Sequence, residues 1–159
     1  MNTLQKVLDR ETLLSRLDAL RVAGRTVALA NGLFDLLHVG HLRYLEAARE
    51  EADVLVVVVN SDRSARELKG PDRPVVPELE RAELLAGFAC VDFVMVFDEG
   101  SVEALLHALK PDVHCKGTDY TAESVPEAAT AKELGIRIAI VGDAKRHATR
   151  DLITRMRKK

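Results

Sequence analysis

The chain of 159 residues lacks the features that mark membrane-spanning and secreted proteins. Its longest unbroken apolar run, Val54 to Val59, is far shorter than the roughly 20 residues needed to cross a bilayer. The N-terminus lacks the charged and apolar regions of a signal peptide. Its two cysteines, Cys90 and Cys115, form neither a metal-ligand spacing nor a disulfide framework. We therefore expect a soluble, cytoplasmic protein with no membrane partner.

The chain also lacks an excess of charge of either sign and is poor in aromatic residues. Twenty-three Lys and Arg stand against 25 Asp and Glu, a net charge of −2. A nucleic-acid-binding protein needs a basic surface to neutralise phosphates, so we expect no nucleic-acid partner. With no Trp, two Tyr and four Phe, an aromatic box for a stacked base or nicotinamide is not evident.

The chain does contain enough apolar material for a folded core. Hydrophobic residues make up 47% of it, and its length falls within the roughly 100–200 residues of one domain. We expect a single domain over residues 1–159, with a helical lead-in over 1–25.

Short β-rich segments alternate with segments of helical periodicity. Apolar spacing predicts a helix over 3–22 that ends at Gly24, and the apolar run 54–60 is typical of a strand covered on both faces. The polar segment 61–77, which contains Gly70 and three prolines, is expected to be a loop. Further helices are predicted over about 39–48, 77–89, 101–109, 125–134 and from 149, and further strands over 26–30, 93–97, 112–116 and 136–141.

This alternation requires right-handed crossover connections. It predicts an α/β fold, a Rossmann-like doubly wound parallel five-stranded sheet with helices on both faces. Ligands of such sheets bind beyond the carboxyl ends of the strands. His107 and His114 fall away from that edge and are predicted to be structural.

Two histidines, His38 and His41, lie where the loop after the first strand turns into a helix. Side chains three residues apart at a helix start share a face, and free N–H groups there favour an anion such as phosphate. Gly40, between them, allows a phosphate oxygen to approach the backbone closely. The pattern predicts a phosphate cradle with two additional donors.

Other interpretations of this motif have less support. A capping histidine beside an unrelated one needs no ligand, and a metal pair would have only Asp35 as a nearby companion ligand. The P-loop pattern is absent, and Gly32 and Gly40 are too far apart for the glycine fingerprint of dinucleotide-binding folds.

The sequence segments around these histidines, and others further along the chain, resemble those of a known family. His-x-Gly-His after a first strand is the mark of nucleotidyltransferases related to class I aminoacyl-tRNA synthetases. Nearly the whole chain looks like the adenylyltransferase domain of bacterial heptose 1-phosphate nucleotidyltransferases, with glycerol-3-phosphate and ethanolamine-phosphate cytidylyltransferases as further relatives. The matching segments are Asn31–His41, Asn60–Asp62, Leu68–Gly70, Arg73–Val75, Val91–Asp92, Lys110–Asp112 and Lys116–Tyr120.

The resemblance implies that an acceptor phosphate attacks the α-phosphorus of a nucleoside triphosphate in line and releases pyrophosphate. It implies catalytic roles for His38, His41 and a mobile Lys69, and Mg2+ bound through the triphosphate with no protein metal site. The implied nucleotide-binding residues are Leu33, Phe34, Gly40, Lys116, Gly117, Asp119, Thr149 and Arg150. The implied acceptor-binding residues are Asn31, Asp35 and Arg81.

The sequence departs from the family pattern in two places. Thr118 stands where a second glycine is usual, and Ala148-Thr149-Arg150 replaces a Ser-Thr-Thr triplet whose hydroxyls bind triphosphate. Lys145, Arg146 and Arg150 could supply charge where the hydroxyls are missing.

Two functions follow from the resemblance: transfer from ATP to a sugar 1-phosphate, or a cytidylyltransferase for glycerol 3-phosphate or a similar alcohol. The departure at Ala148 and Arg150 suggests a third, a non-catalytic nucleotide-binding module. The resembling families are often homodimers.

Overall fold

The computed structural model describes residues 2–99, 101–143 and 149–157, and within them strands and helices alternate. The five strands are β1 (Val27–Gly32), β2 (Val54–Asn60), β3 (Phe93–Phe97), β4 (Val113–Lys116) and β5 (Arg137–Ile140). The helices are a 3-10 turn (Thr3–Lys6), α1 (Arg10–Val22), α2 (Val39–Glu50), α3 (Asp62–Lys69), α4 (Glu78–Ala86), α5 (Val102–Leu109), α6 (Ala128–Glu133) and α7 (Thr149–Arg157).

The strands form one parallel sheet in the order β3-β2-β1-β4-β5. The predicted fold class is confirmed. The strand order reverses between β1 and β4, and such a switch point is where sheets of this type bind ligands. No helix of the described residues has the length and apolar character that crossing a membrane requires.

Strand β2 is covered on both faces of the sheet. All seven of its residues are buried. Leu55, Val57 and Val59 belong to one apolar cluster, whereas Val56 and Val58 belong to a second one. Because successive side chains of a strand point to opposite faces, these clusters cover the two sides of the sheet. The continuous apolar run is therefore a consequence of burial on both faces.

Two predicted elements were wrong in their boundaries. The lead-in is divided, because Val7 forms a parallel bridge to Val94 and the Asp9 side chain accepts from Thr12 N to begin α1. The segment expected to be a loop begins with α3, which starts at the N-cap Ser61 and ends before Gly70. Helix α3 has no apolar stripe, since its only buried residues are Ser64 and Ala65, and periodicity therefore gave no signal.

Aspartates just before three strands accept hydrogen bonds from neighbouring strands at the amino-terminal edge of the sheet. The Asp53 carboxylate accepts from Thr26 N, that of Asp92 from Leu55 N, and that of Asp112 from Val27 N. Each supplies a partner to an N–H where a strand begins, and a buried N–H without a partner is costly. The Val91–Asp92 and Lys110–Asp112 segments thus have a structural role.

A buried imidazole lies in the core. His114 in β4 is fully buried, and its Nε2 lies 3.0 Å from Asn31 Oδ1 in β1. Burial, together with the positive charge of Lys116, lowers the pKa of His114 to about 3. The ring is therefore neutral at ordinary pH.

Replacing Asp112 by alanine is expected to lower the free energy of unfolding by about 1 kcal/mol, because Val27 N–H, 2.7 Å from the carboxylate, loses its partner. Urea unfolding measures this. Asp18→Ala serves as the control because its side chain is 74% exposed and forms a surface ion pair with Arg21, so a change below about 0.5 kcal/mol is expected there. Equal losses in both variants would contradict the assigned role.

His114 is expected to make stability depend on pH. Between its unfolded pKa of 6.5 and its folded pKa of about 3, the unfolded state binds more protons, so stability falls as pH drops below about 6.5. From about pH 7.5 to about pH 5, His114 accounts for a loss of about 2 kcal/mol. Urea unfolding of His114→Leu at both pH values should show a decrease smaller by that amount. In the control, the exposed His107→Leu, the full decrease should remain, and an unchanged decrease in His114→Leu would refute the prediction.

Candidate active site

A cavity of about 1280 Å³ lies at the carboxyl ends of the strands. Its lining comes from the loops after β1, β4 and β5, the end of α3, and the residues between β3 and α5. The predicted site residues that line it are Asn31, Leu33, Phe34, Asp35, His38, Gly40, His41, Lys69, Lys116, Gly117 and Asp119. The structure thus brings together most of the residues that the sequence singled out.

His38 and His41 form a stacked pair at the start of α2. Their ring centroids are 3.9 Å apart with the planes 29° from parallel. His38 is the N-cap, and its Nδ1 accepts from Gly40 N at 3.2 Å, while His41 Nδ1 accepts from His38 N at 3.3 Å. An imidazole that accepts through Nδ1 carries its proton, when neutral, on Nε2. The capping contacts therefore fix both rings as Nε2–H donors.

These capping contacts correct one expectation about the backbone. The helix start was expected to offer free backbone N–H groups to a phosphate, but Gly40 N–H donates to His38 Nδ1. The N–H groups of His41 and Leu42 both donate to the His38 carbonyl. An anion at this helix start would consequently meet imidazole donors and the helix dipole rather than these three N–H groups.

The Phe34 ring packs against His41, one member of the stacked histidine pair. Its side chain is 4% exposed, and its ring centroid lies 5.5 Å from that of His41 and 6.5 Å from that of Tyr44. A Cβ at Gly32 would lie only 3.2 Å from this ring, so a larger residue there would require the ring to shift. Phe34 has a left-handed φ of 50°, which is costly for a non-glycine residue and is held by this packing. It lines the cavity chiefly as a packing residue.

Asp35 is buried and holds a neighbouring segment in place. Its carboxylate accepts from Val75 N and Val76 N and forms an ion pair with Arg73, with nitrogen–oxygen distances of 2.6 Å. Burial raises the pKa of Asp35, but the two backbone donors and Arg73 outweigh it and bring the pKa below its usual range. With these donors, the carboxylate anchors Arg73 at the cavity, and the acceptor-binding role expected for Asp35 stays a prediction.

Arg81 is not among the described lining residues. It is fully buried, and its guanidinium donates to the carbonyls of Val76 and Leu33 and to Asp62 Oδ1, at 2.8, 2.5 and 2.8 Å. In this structure Arg81 is thus a buried bracing residue, and its predicted contact with the acceptor stays a prediction. Its donors brace the loop after β1 against α3 and the start of α4.

Lys69 also differs from expectation. It lies in the last turn of α3, directly before Gly70, and not on a flexible loop. Its side chain is exposed and lines the cavity. Gly70 has a φ of 102°, a conformation that glycine adopts readily, so the chain turns sharply after the lysine.

Lys116, at the end of β4, is a buried cation at the opposite wall. Its Nζ lies 3.4 Å from Glu127 Oε2 and 5.1 Å from the centroid of the Tyr120 ring. Glu127 was missed by sequence reasoning because the pairing joins distant residues with no local pattern. Cys115, next to Lys116, is not available as a nucleophile, since burial raises its pKa to about 12.

Thr118 has a structural partner. Its hydroxyl donates to the Asp143 carbonyl at 2.8 Å, and the Asp143 carboxylate pairs with Arg43 of α2 at 2.8 Å. A Cβ at Gly142 would lie 3.2 Å from Tyr44 Cα, so the loop after β5 packs directly on α2. The threonine that departs from the family pattern therefore joins the loops after β4 and β5.

The predicted nucleotide-binding residues Thr149 and Arg150 lie in the last helix, α7. Both are at its start, but their side chains lie outside what the structure describes. Lys145, Arg146 and Ala148 lie outside the described residues altogether. In the rest of the chain, no three His, Cys, Asp or Glu side chains are grouped so that they could hold a metal ion.

Similar proteins were found among curated sequences. The chain is 44% identical over 151 residues to the bifunctional protein HldE of Syntrophotalea carbinolica, and 42% identical over 151 residues to that of Methylobacillus flagellatus. Each match covers 95% of this chain and 31% of the relative. The chain thus spans about a third of the length of these relatives.

Solved structures with a similar fold were also found. A lipopolysaccharide core biosynthesis protein from Thermoplasma volcanium superposes with a TM-score of 0.66 at 29% identity, over 77% of this chain and all of that one. Pantothenate synthetase from Thermus thermophilus superposes with a TM-score of 0.65 at 17% identity, over 96% of this chain and 70% of that one, and shares the fold alone.

The family assignment rests on a match over most of the chain. The cytidylyltransferase-like family matches residues 29–153, a range that begins within β1 and includes the other four strands and the stacked histidines. The chain belongs to the cytidylyltransferase-like family and is a nucleotidyltransferase.

Proposed function

We propose that the protein transfers a nucleoside monophosphate from ATP to a sugar 1-phosphate in this cavity and releases pyrophosphate. The observation that carries the proposal is the stacked pair His38 and His41, fixed as Nε2–H donors at the start of α2 in a cavity that also contains Lys69, Arg73 and Lys116. The names of the similar proteins, HldE and a lipopolysaccharide core biosynthesis protein, support a carbohydrate acceptor.

The chemistry matches this set of residues. The acceptor phosphate is itself an anion at neutral pH, so no side chain has to act as the nucleophile. Catalysis then consists of holding two mutually repelling anions in line and stabilising charge on the equatorial oxygens and on pyrophosphate. In the proposed reaction, His38 and His41 donate to triphosphate oxygens, while Lys69 covers the phosphates from the end of α3.

Mg2+ is proposed to enter the site bound to the triphosphate of the nucleotide. The carboxylates of Asp35 and Glu127 are paired with cations, and no metal-holding group occurs in the described chain. Bound to triphosphate oxygens, Mg2+ would supply further neutralisation of their charge.

The loops after β4 and β5 are proposed to receive the nucleoside, next to Gly117 and Asp119. The acceptor is proposed to lie near Asn31 and Arg73. Homodimer formation and a cytoplasmic location stay predictions from the sequence.

Two other functions have a specific observation in their favour. The family to which the chain belongs is described as cytidylyltransferase-like, which favours CTP with a phosphorylated alcohol. Ala148 and Arg150, in place of hydroxyl residues, favour a module that binds a nucleotide without turnover.

Replacing His41 by alanine is expected to lower kcat for pyrophosphate release by about 100-fold or more, the usual effect of removing one preorganised donor to developing charge. Coupled pyrophosphate detection measures the rate, and circular dichroism confirms that the fold is retained. His107→Ala, exposed on α5, is the matched control and should turn over like the parent protein. Parent-like turnover by His41→Ala would show that this histidine has no catalytic role.

A panel of ATP, CTP, GTP and UTP against several phosphomonoesters tests the substrates. We expect pyrophosphate only when triphosphate and acceptor are both present, with kcat/KM for ATP and a sugar 1-phosphate at least about tenfold above other pairs, as one well-placed polar contact provides. Faster reaction with CTP and glycerol 3-phosphate would favour the cytidylyltransferase. Calorimetric nucleotide binding without turnover on any acceptor would favour the binding module.

A further inference from the structure

His114 is an unusual residue at a buried strand position. Its neighbours along β4, Val113 and Cys115, are also buried, and an apolar residue would be the ordinary choice. His114 is 0% exposed, and its Nε2 lies 3.0 Å from Asn31 Oδ1. The contact therefore joins a core imidazole to a residue that lines the cavity.

The register of the sheet explains how the two side chains meet. Leu29 of β1 is paired with His114 of β4, and Asn31 lies two residues further along β1. Residues two apart on a strand share a face, so Asn31 is the diagonal neighbour of His114 on the same side of the sheet. Asn31 is nearer the carboxyl edge and reaches the cavity, whereas His114 lies one step deeper.

The direction of the hydrogen bond follows from the chemistry of the two groups. An amide oxygen only accepts, so His114 Nε2 carries the proton and donates. In the neutral ring Nδ1 is then an acceptor, and it is buried without a hydrogen-bond partner. Burying an unpaired nitrogen is costly, and a leucine of similar size would avoid that cost. Stability alone thus gives no reason for a histidine at this position.

The orientation of the Asn31 amide matters because the two ends of an amide have opposite character. The Nδ2 end donates to an oxyanion, whereas the Oδ1 end repels one. A donor at Oδ1 makes rotation of the amide unfavourable and leaves Nδ2 as the end for the cavity. His114 therefore determines which end an anionic substrate meets.

We propose that His114 is a positioning residue that fixes the Asn31 side chain with Nδ2 toward the cavity, where it donates to the phosphate oxygens of the acceptor. The assignment of the acceptor phosphate rests on the proposed function. His114 itself does not contact the substrate and acts only through the amide of Asn31.

Two substitutions at position 114 separate positioning from packing. His114→Leu keeps the approximate size of the side chain but removes the hydrogen-bond donor. In His114→Gln, by contrast, the side-chain amide can donate to Asn31 Oδ1. For His114→Leu we expect kcat/KM for the acceptor to fall about tenfold, a smaller effect than loss of the Asn31 donor itself, with KM for the triphosphate within about twofold of the parent value. His114→Gln should recover most of the loss, and thermal unfolding should show that both variants fold.

A purely structural role would give a different pattern. It would lower the unfolding temperature, change the kinetic constants for both substrates and show no recovery with glutamine, and this pattern would overturn the proposal. In a double-mutant cycle, His114→Leu should have no further effect on acceptor kcat/KM once Asn31 is replaced by alanine. Additive losses would also overturn it.

A measurement without turnover distinguishes this proposal from the proposed function. In NMR spectra of the 15N-labelled protein, inorganic phosphate is the probe and the Asn31 side-chain amide signal is the readout. We expect phosphate to shift that signal in the parent protein and in His114→Gln, and at least about fivefold weaker binding in His114→Leu, the loss that one oriented hydrogen bond represents. Equal phosphate binding in all three proteins, or no shift in the parent, would refute positioning. Absence of turnover with every acceptor, beside the expected NMR result, would refute only the proposed reaction.

Discussion

The hydrogen bonds with which His38 and His41 close the first turn of α2 determine what the cavity can do. They fix which nitrogen of each ring is a donor, and they stack the rings 3.9 Å apart at the positive end of a helix dipole. That geometry depends in turn on Phe34, whose ring packs against His41 and lies so close to Gly32 that a side chain there would require the ring to shift. Helix α2 is also attached to β4, because the Tyr44 hydroxyl donates to the Cys115 carbonyl at 2.8 Å. Burial raises the pKa of Tyr44, so this hydroxyl stays a donor.

Two cations that line the cavity, Arg73 and Lys116, are held by carboxylates in different ways. Arg73 is paired with Asp35, but Asp35 also accepts from two backbone N–H groups and keeps both if Arg73 moves toward an anion. Lys116 is paired with Glu127, whose Oε2 is buried and has no hydrogen bond in the described contacts. Removing Lys116 from Glu127 would leave a buried charge with less compensation, and such a charge is expensive. Of the two, Arg73 is therefore the cation that can be given to a substrate at lower cost.

Much of the fold and part of the site could be predicted from the sequence, because those parts depend on local patterns. Burial on both faces makes β2 a continuous apolar run, and the helix start at His38 is encoded within four residues. Helix α3 was missed because it buries only small residues, which also misplaced Lys69. The role of Arg81 depends on three acceptors from separate segments, which no local pattern reveals. The same holds for Thr118, whose partner Asp143 lies in another loop.

The two edges of the sheet use hydrogen-bonding groups for opposite purposes. At the amino-terminal edge, the carboxylates of Asp53, Asp92 and Asp112 accept from strand N–H groups, so those polar groups are satisfied within the protein. At the carboxyl edge, side chains that reach the cavity are oriented by partners behind them, as Arg73 is by Asp35 and Asn31 by His114. The cost of that orientation is borne in the core, where His114 Nδ1 has no partner. Sequence patterning predicts that a polar residue at a buried strand position is merely structural. Such a residue indicates a role in the site when it hydrogen-bonds to a side chain at the edge where ligands bind, as His114 does to Asn31.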